Sequence, residues 1–120
     1  MRTIKLLNKT RNWCIGNCIE VADTPFRRAK GLLGRKRLDP GGGLWILPSS
    51  GVHTFGMQFS IDVIGLDKEL KVVRMWPSLM ANRITMPSWR VKSVIELPAG
   101  AIAEMGACVG DLLVVRGRQE

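Results

Sequence analysis

The sequence predicts a mainly β protein, a β-sandwich or distorted barrel with one short helix. Three observations carry that prediction. Short apolar, β-branched stretches recur along the chain, turn-forming residues punctuate them at close spacing, and only one segment carries a helix-start signature. At 120 residues with 46% hydrophobic side chains, residues 1–120 are of single-domain size and can build one core.

Residues 3–7 read as a first strand and 18–22 as another, ended by Asp23-Thr24-Pro25. Thr24 followed by Pro25 is an N-cap with proline at the first helical position, so a helix is expected from 25 to about 33, stopped at Gly34. Asp39-Pro40-Gly41-Gly42-Gly43 reads as a loop, because its glycines favour neither helix nor strand. Strand character returns at 44–47, breaks at Pro48-Ser49-Ser50-Gly51, and resumes over 52–57 and over 60–66, an apolar run suited to a buried strand. Asp67-Lys68-Glu69 turns into a strand over 70–76, forming a hairpin. Residues 77–90 hold two prolines and little periodicity and read as a long loop. A strand over 91–97, a helical turn over 101–105 ended by Gly106, and a strand over 112–116 complete the chain.

Composition excludes several classes. No stretch approaches the roughly 18–20 apolar residues a membrane helix needs, and the start, Met1-Arg2-Thr3-Ile4-Lys5-Leu6-Leu7-Asn8, is too short and too polar for a signal peptide, so a cytoplasmic location is expected; a monomer is the expected state. Cys14, Cys18 and Cys108 are too few for a dense disulfide framework. Cys14 and Cys18 would face each other if Ile15-Gly16-Asn17 closed a hairpin; on one straight strand they stand about 13 Å apart, the favoured reading. His53 is the only histidine and Cys-x3-Cys has no second ligand pair nearby, so neither a metal nor a cofactor is expected.

The net charge of +8 gathers in Arg27, Arg28, Lys30, Arg35, Lys36 and Arg37, which could attract phosphates or an acidic partner. The segment lacks interleaved aromatics and the chain has no tyrosine, which favours a solvated basic face over a base-stacking surface.

Four motifs stand in order along the chain. They are Thr24-Pro25-Phe26-Arg27-Arg28-Ala29-Lys30-Gly31-Leu32-Leu33-Gly34-Arg35; Gly43-Leu44-Trp45-Ile46; His53-Thr54-Phe55-Gly56-Met57 with Ile61-Asp62-Val63-Ile64-Gly65-Leu66-Asp67; and Val94-Ile95-Glu96-Leu97-Pro98-Ala99-Gly100 with Gly110-Asp111. Over roughly residues 18–116 this pattern resembles the family catalogued as domain of unknown function 192. The resemblance implies a small, mostly β fold and no established activity. Many members carry Phe-Trp-Met where this chain has Thr54-Phe55-Gly56-Met57, so it is similar to the histidine-bearing branch. There a cysteine often follows the proline equivalent to Pro48; here that position is Ser49, so the resemblance supplies no cysteine nucleophile.

Within the motifs, Asp62 is a carboxylate inside an apolar run and must be hydrogen-bonded, paired with a cation, or protonated. Backbone N–H partners or an internal arginine would make it structural; a place at a pocket edge would make it functional. His53 precedes it by nine residues, and a return through Gln58 would bring the two together as half of a general-base pair. Ser49, Ser50 and Thr54 are the nearby hydroxyls that could complete it. A buried histidine satisfied by loop carbonyls is the competing reading.

Arg28 and Arg35, seven apart, share a face if the helix reaches Arg35, and with Lys30 they offer a cationic edge for a carboxylate, phosphate or anionic sugar. Alternatively they clamp the helix to the sheet through Asp62, Glu96 or Asp111. Glu96 is expected to point outward by strand alternation, and Trp45, Trp76 and Trp89 read as core rather than sugar platforms.

The favoured function is therefore a binding module for a small anionic or sugar-like ligand, held by Arg28, Lys30, Arg35, His53, Thr54 and Asp62. The alternatives are a hydrolase with His53 as base and a basic adaptor for nucleic acid or an acidic protein.

Overall fold

Local signals hold where they are strongest. In the computed structural model, which describes residues 2–54, 56–85 and 87–117, the Thr24 hydroxyl accepts the Arg27 N–H at 3.2 Å and caps helix α1 (Pro25–Lys30), with Pro25 in the first turn. The helix ends earlier than expected from the sequence. Gly31 takes a positive φ of 52° and its N–H closes on Arg27 at 2.9 Å, so 31–34 continue as turns and Arg35 is not on a helical face with Arg28.

Seven strands form a single sheet: β1 (Thr3–Asn8), β2 (Trp13–Ala22), β3 (Gly42–Ile46), β4 (Ile61–Leu66), β5 (Val72–Leu79), β6 (Ser93–Pro98) and β7 (Leu113–Gly117). Their order is β5-β4-β6-β3-β2-β1-β7. Neighbours are antiparallel except β2 and β3, which are parallel and joined by the crossover that carries α1. The sheet curls until its two edges touch: Lys71 bridges Leu112, and the Val72 N–H donates to the Asp111 carbonyl at 2.8 Å. The distorted barrel, rather than two packed sheets, is thus the architecture formed. A second helix, α2 (Ala101–Met105), ends at Gly106 as expected.

Four stretches depart from the sequence expectation, the first being Gly42 and Gly43, expected in a loop, which open β3 by pairing with Cys18 and Ile19 of β2. Strand β2 begins at Trp13, so Cys14 and Cys18 lie on one strand and the hairpin that would set them face to face does not form. Residues 52–57, expected as a strand, join no named strand; within that stretch His53 bridges only Ile84, and Phe55 lies outside the described residues. The cause is pairing: β4 is already flanked by β5 and β6, which leaves it no free edge for this segment. Residues 77–79, expected in a loop, extend β5, while Met86 of that expected loop lies outside the described residues.

The curl separates two apolar faces. One cluster, with Leu6, Ile19, Ile64, Ile95, Leu97 and Ile102, receives side chains from every strand and fills the inside of the barrel. The other, with Leu44, Ile46, Val63 and Val94 of the sheet, is covered by Leu32, Val52 and Met57. Each fully buried Leu, Ile or Val contributes about 1.5–3 kcal/mol of transfer free energy. Strands β3, β4 and β6 are consequently buried on both faces.

Candidate functional site

Alternation along β6 puts Ile95 and Leu97 inside the barrel and Val94 on the opposite face. Glu96, between Ile95 and Leu97, therefore shares the face of Val94, toward α1. It does not point to solvent, because no face of β6 is wet; it is 2% exposed. Its cross-strand neighbours are Leu44 on β3 and Val63 on β4. Glu20, paired with Leu44 on the next strand, continues the same row.

Above this row lies a cleft of about 60 Å³, lined by Arg28 and Lys30 of α1, by Gly31, by Val52 and His53, and by Glu96. That is room for about two water-sized groups. Two polar atoms of its lining, Arg28 Nε and Glu96 Oε1, are buried without a hydrogen-bond partner. Burial among apolar neighbours pushes the Glu96 carboxyl up to about 7, against the pull of the Arg35 charge. Gly31 leaves the space beside Oε1 open: a Cβ there would come within 3.8 Å of it.

Of the residues singled out from sequence, Arg28, Lys30 and His53 meet at this cleft. Arg28 also makes a long 3.5 Å contact from Nη1 to the Pro48 carbonyl. His53 stands exposed at the rim, on a segment stapled to 82–85 by the Thr54 N–H to Arg83 carbonyl bond of 2.8 Å and the Thr85 N–H to Val52 carbonyl bond of 3.0 Å.

The other three are used elsewhere. Arg35 pairs with Glu20 at 2.5 Å, so a clamp between the helical crossover and the sheet exists, with a partner the sequence reading did not name. The Thr54 hydroxyl is buried; it donates to the Met80 carbonyl at 2.6 Å and accepts the Arg83 N–H at 2.8 Å. Asp62 accepts the N–H of Ser78 and of Ile102, each at 2.8 Å. It sits on the barrel side of β4, between Ile61 and Val63 of the outer cluster, and so does not meet His53. Backbone amides, not an imidazole, satisfy it.

None of the hydroxyls near His53 in sequence, Ser49, Ser50 and Thr54, lines the cleft. Ser49 Oγ donates to the Gly51 carbonyl at 2.6 Å, and no Ser, Thr or Cys lines the cleft among the described residues. Glu96 is the site residue that sequence reasoning missed. Its signal was the one used for Asp62, a carboxylate inside an apolar run, masked by the assumption that its strand has a wet face.

The basic run is broken up. Arg35 pairs with Glu20, Arg37 with Asp39 at 3.2 Å, and Arg28 turns into the cleft. Trp45 is buried, Trp76 lies under the Arg74 guanidinium at 5.2 Å, and Trp89 is 84% exposed rather than core. No group of three or more His, Cys, Asp or Glu among the described residues could hold a metal ion, and no helix among them is long and apolar enough to cross a membrane.

Comparison with known proteins gives a family and a fold. Residues 8–115 match the family model DUF192, described as "Uncharacterized ACR, COG1430". A UPF0127 protein of Thermococcus sibiricus is 35% identical over 119 residues, covering 88% of this chain and 71% of its own. One from Pyrococcus abyssi is 36% identical over 112 residues, covering 88% and 92%. Among solved structures, a protein of unknown function from Novosphingobium aromaticivorans superposes with a TM-score of 0.79 at 20% identity, covering 93% of this chain and 83% of that one. A chain from Sinorhizobium meliloti, described as a candidate transcription regulator, gives 0.80 at 20% identity, covering 95% and 92%. At that identity the likeness is one of fold.

Proposed function

Because the chain belongs to the DUF192 family, which has no assigned activity, we propose a function from the cleft itself: a binding module for the anionic head group of a small ligand. Arg28, Lys30 and His53 surround the head group and Glu96 closes the floor. One observation carries this reading. A buried N–H donor and a buried carboxyl oxygen, both without protein partners, share the lining of one cleft. Leaving such atoms unmatched costs about 1–3 kcal/mol each, a cost that a bound group would relieve.

The surrounding charge favours an anion over a neutral sugar, since two cationic side chains of α1 face the space. The hydrolase reading has less support, because no hydroxyl or thiol side chain lines the cleft among the described residues. The adaptor reading has less as well, because Arg28, Arg35 and Arg37 are drawn away from a continuous positive face.

The test is thermal unfolding of the wild type, Arg28→Ala and His53→Ala in titrations of acetate, phosphate and glucose. A saturable anion-dependent rise in Tm is expected in the wild type, worth about 2.7 kcal/mol at a hundredfold excess over Kd. Both variants should keep the native circular dichroism spectrum and lose that rise. Stabilisation by glucose alone, or anion stabilisation that persists in both variants, overturns the reading.

A further inference from the structure

The cleft's two unmatched atoms differ in kind, and that difference specifies a ligand. Arg28 Nε is a permanent donor, whereas Glu96 Oε1 belongs to a carboxyl that can accept or, when protonated, donate. An ionised Glu96 beside a bound anion would set two like charges together in a nearly dry site, which burial disfavours. A protonated Glu96 removes the conflict and adds a second donor. A carboxylate presents two acceptor oxygens in one plane, one for each donor, and a head group of that size suits the roughly 60 Å³ available.

Resting on the cleft reading above, we propose that the head group is a carboxylate held between the Arg28 guanidinium and a protonated Glu96, so that binding takes up a proton wherever Glu96 is ionised in the free protein. The cations around Glu96 pull toward its ionised form, and burial outweighs that pull. Arg28 and Lys30 face it from α1, His53 from the rim segment, and Arg35 from the turn after α1. Arg35 is held by Glu20, in the same cross-strand row as Glu96, and so bears on the Glu96 carboxyl as a charge and not as a hydrogen-bonded partner. Leu44 and Val63, flanking Glu96 on β3 and β4, offer it no polar side-chain atom. Glu96 Oε1 itself has no hydrogen-bond partner in the protein and is left for a ligand oxygen.

Proton coupling follows from the carboxyl being half-protonated at about pH 7. If only the protonated form binds, the apparent affinity scales with that fraction and is about tenfold weaker at pH 8 than at pH 6. A phosphate ion carries its own protons near neutrality and can donate to an ionised Glu96, so it needs no uptake.

The experiment is calorimetric titration of acetate, propionate and phosphate into the wild-type protein at pH 6, 7 and 8, in two buffers of different ionisation heat. Acetate or propionate should bind about tenfold more weakly at pH 8 than at pH 6, with close to one proton taken up at pH 8. Glu96→Gln, which supplies a fixed N–H donor, should lose both the pH dependence and the uptake. His53→Gln, run alongside, separates the imidazole from the carboxyl. Should Glu96→Gln fail to fold, the buffer dependence of the wild type decides alone. Carboxylate binding with equal affinity at pH 6 and 8 and no uptake overturns this inference while leaving the cleft reading intact. Binding of phosphate alone overturns the carboxylate assignment, and no binding of any anion at any pH sinks both.

Discussion

The Asp62 carboxylate accepts the backbone N–H of Ile102 at 2.8 Å, joining the start of β4 to the first turn of α2 across forty residues of chain. Its other oxygen takes the Ser78 N–H on β5 at the same distance. One buried acid thereby ties a helix and two strands around the inside of the barrel, and its partners are all main chain.

Asp62→Ala leaves both amides without a protein partner inside the fold. Each bond from a backbone donor to a charged acceptor contributes about 1.5–3 kcal/mol, so a loss on the order of 3 kcal/mol of unfolding free energy is expected. Urea denaturation at neutral pH measures it. Anion stabilisation should survive in the folded fraction, because Asp62 and the cleft lie on opposite faces of the sheet; loss of anion binding at unchanged stability would put Asp62 in the site instead.

Glu96 gives stability the opposite pH dependence from an ordinary paired carboxylate. Its folded value, about 7, lies above the ordinary glutamate value of 4.5, so between the two the native state holds a proton that the unfolded chain has released. The contribution is fully present below about 4.5 and is lost as pH rises through about 7. Glu96→Gln cannot ionise, so its stability relative to wild type should rise by about 3 kcal/mol between pH 4.5 and 8. Paired urea melts at those two pH values check this, and a constant difference between them would refute it.

Asp111 behaves in the reverse sense. Burial alone would push its carboxyl up, but bonds from Arg11 Nε at 2.7 Å, Asn8 Nδ2 at 2.9 Å and the Cys108 N–H at 2.9 Å outweigh it and hold the carboxyl below the usual range. This stability is present above the ordinary aspartate value and is lost as pH falls through the lower folded one. Asp111→Asn should cost about 2 kcal/mol at pH 7. The gap to wild type should narrow as melts are carried to acid pH, and a gap that stays open would show the effect to be steric.

What the sequence made legible was what short stretches decide for themselves. The Thr24–Pro25 cap is complete within four residues, so the start of α1 could be read; its end could not, because Gly31 rather than Gly34 adopts the terminating conformation. Asp62 stood out as a carboxylate in an apolar run, yet its partner Ile102 is fixed by how α2 folds over the barrel, which no local pattern encodes. Glu96 was misread for a related reason. Alternation tells which residues share a face, but only strand order tells whether that face is wet, and β6 lies between β4 and β3. The same missing strand order made 52–57 look like a strand, when the ladder positions beside β4 belong to β5 and β6.

Strand order also sets the tightest packing constraint beneath the site. Gly43 on β3 pairs with Ile19 on β2, and a Cβ added there would stand 2.7 Å from the Glu96 carbonyl oxygen, 2.9 Å from Ile19 Cδ1 and 3.1 Å from Leu97 Cδ2. Ile19 can rotate, but the carbonyl is fixed in the β6 ladder. Gly43→Ala must therefore push β3 away from β6, at a cost of about 1–3 kcal/mol for overpacking. Because the strand it displaces carries Glu96, the same variant should weaken anion stabilisation, a coupling that Asp62→Ala lacks. Equal stability to wild type in a urea melt would mean that the two strands separate freely and that the floor of the cleft is not held by their packing.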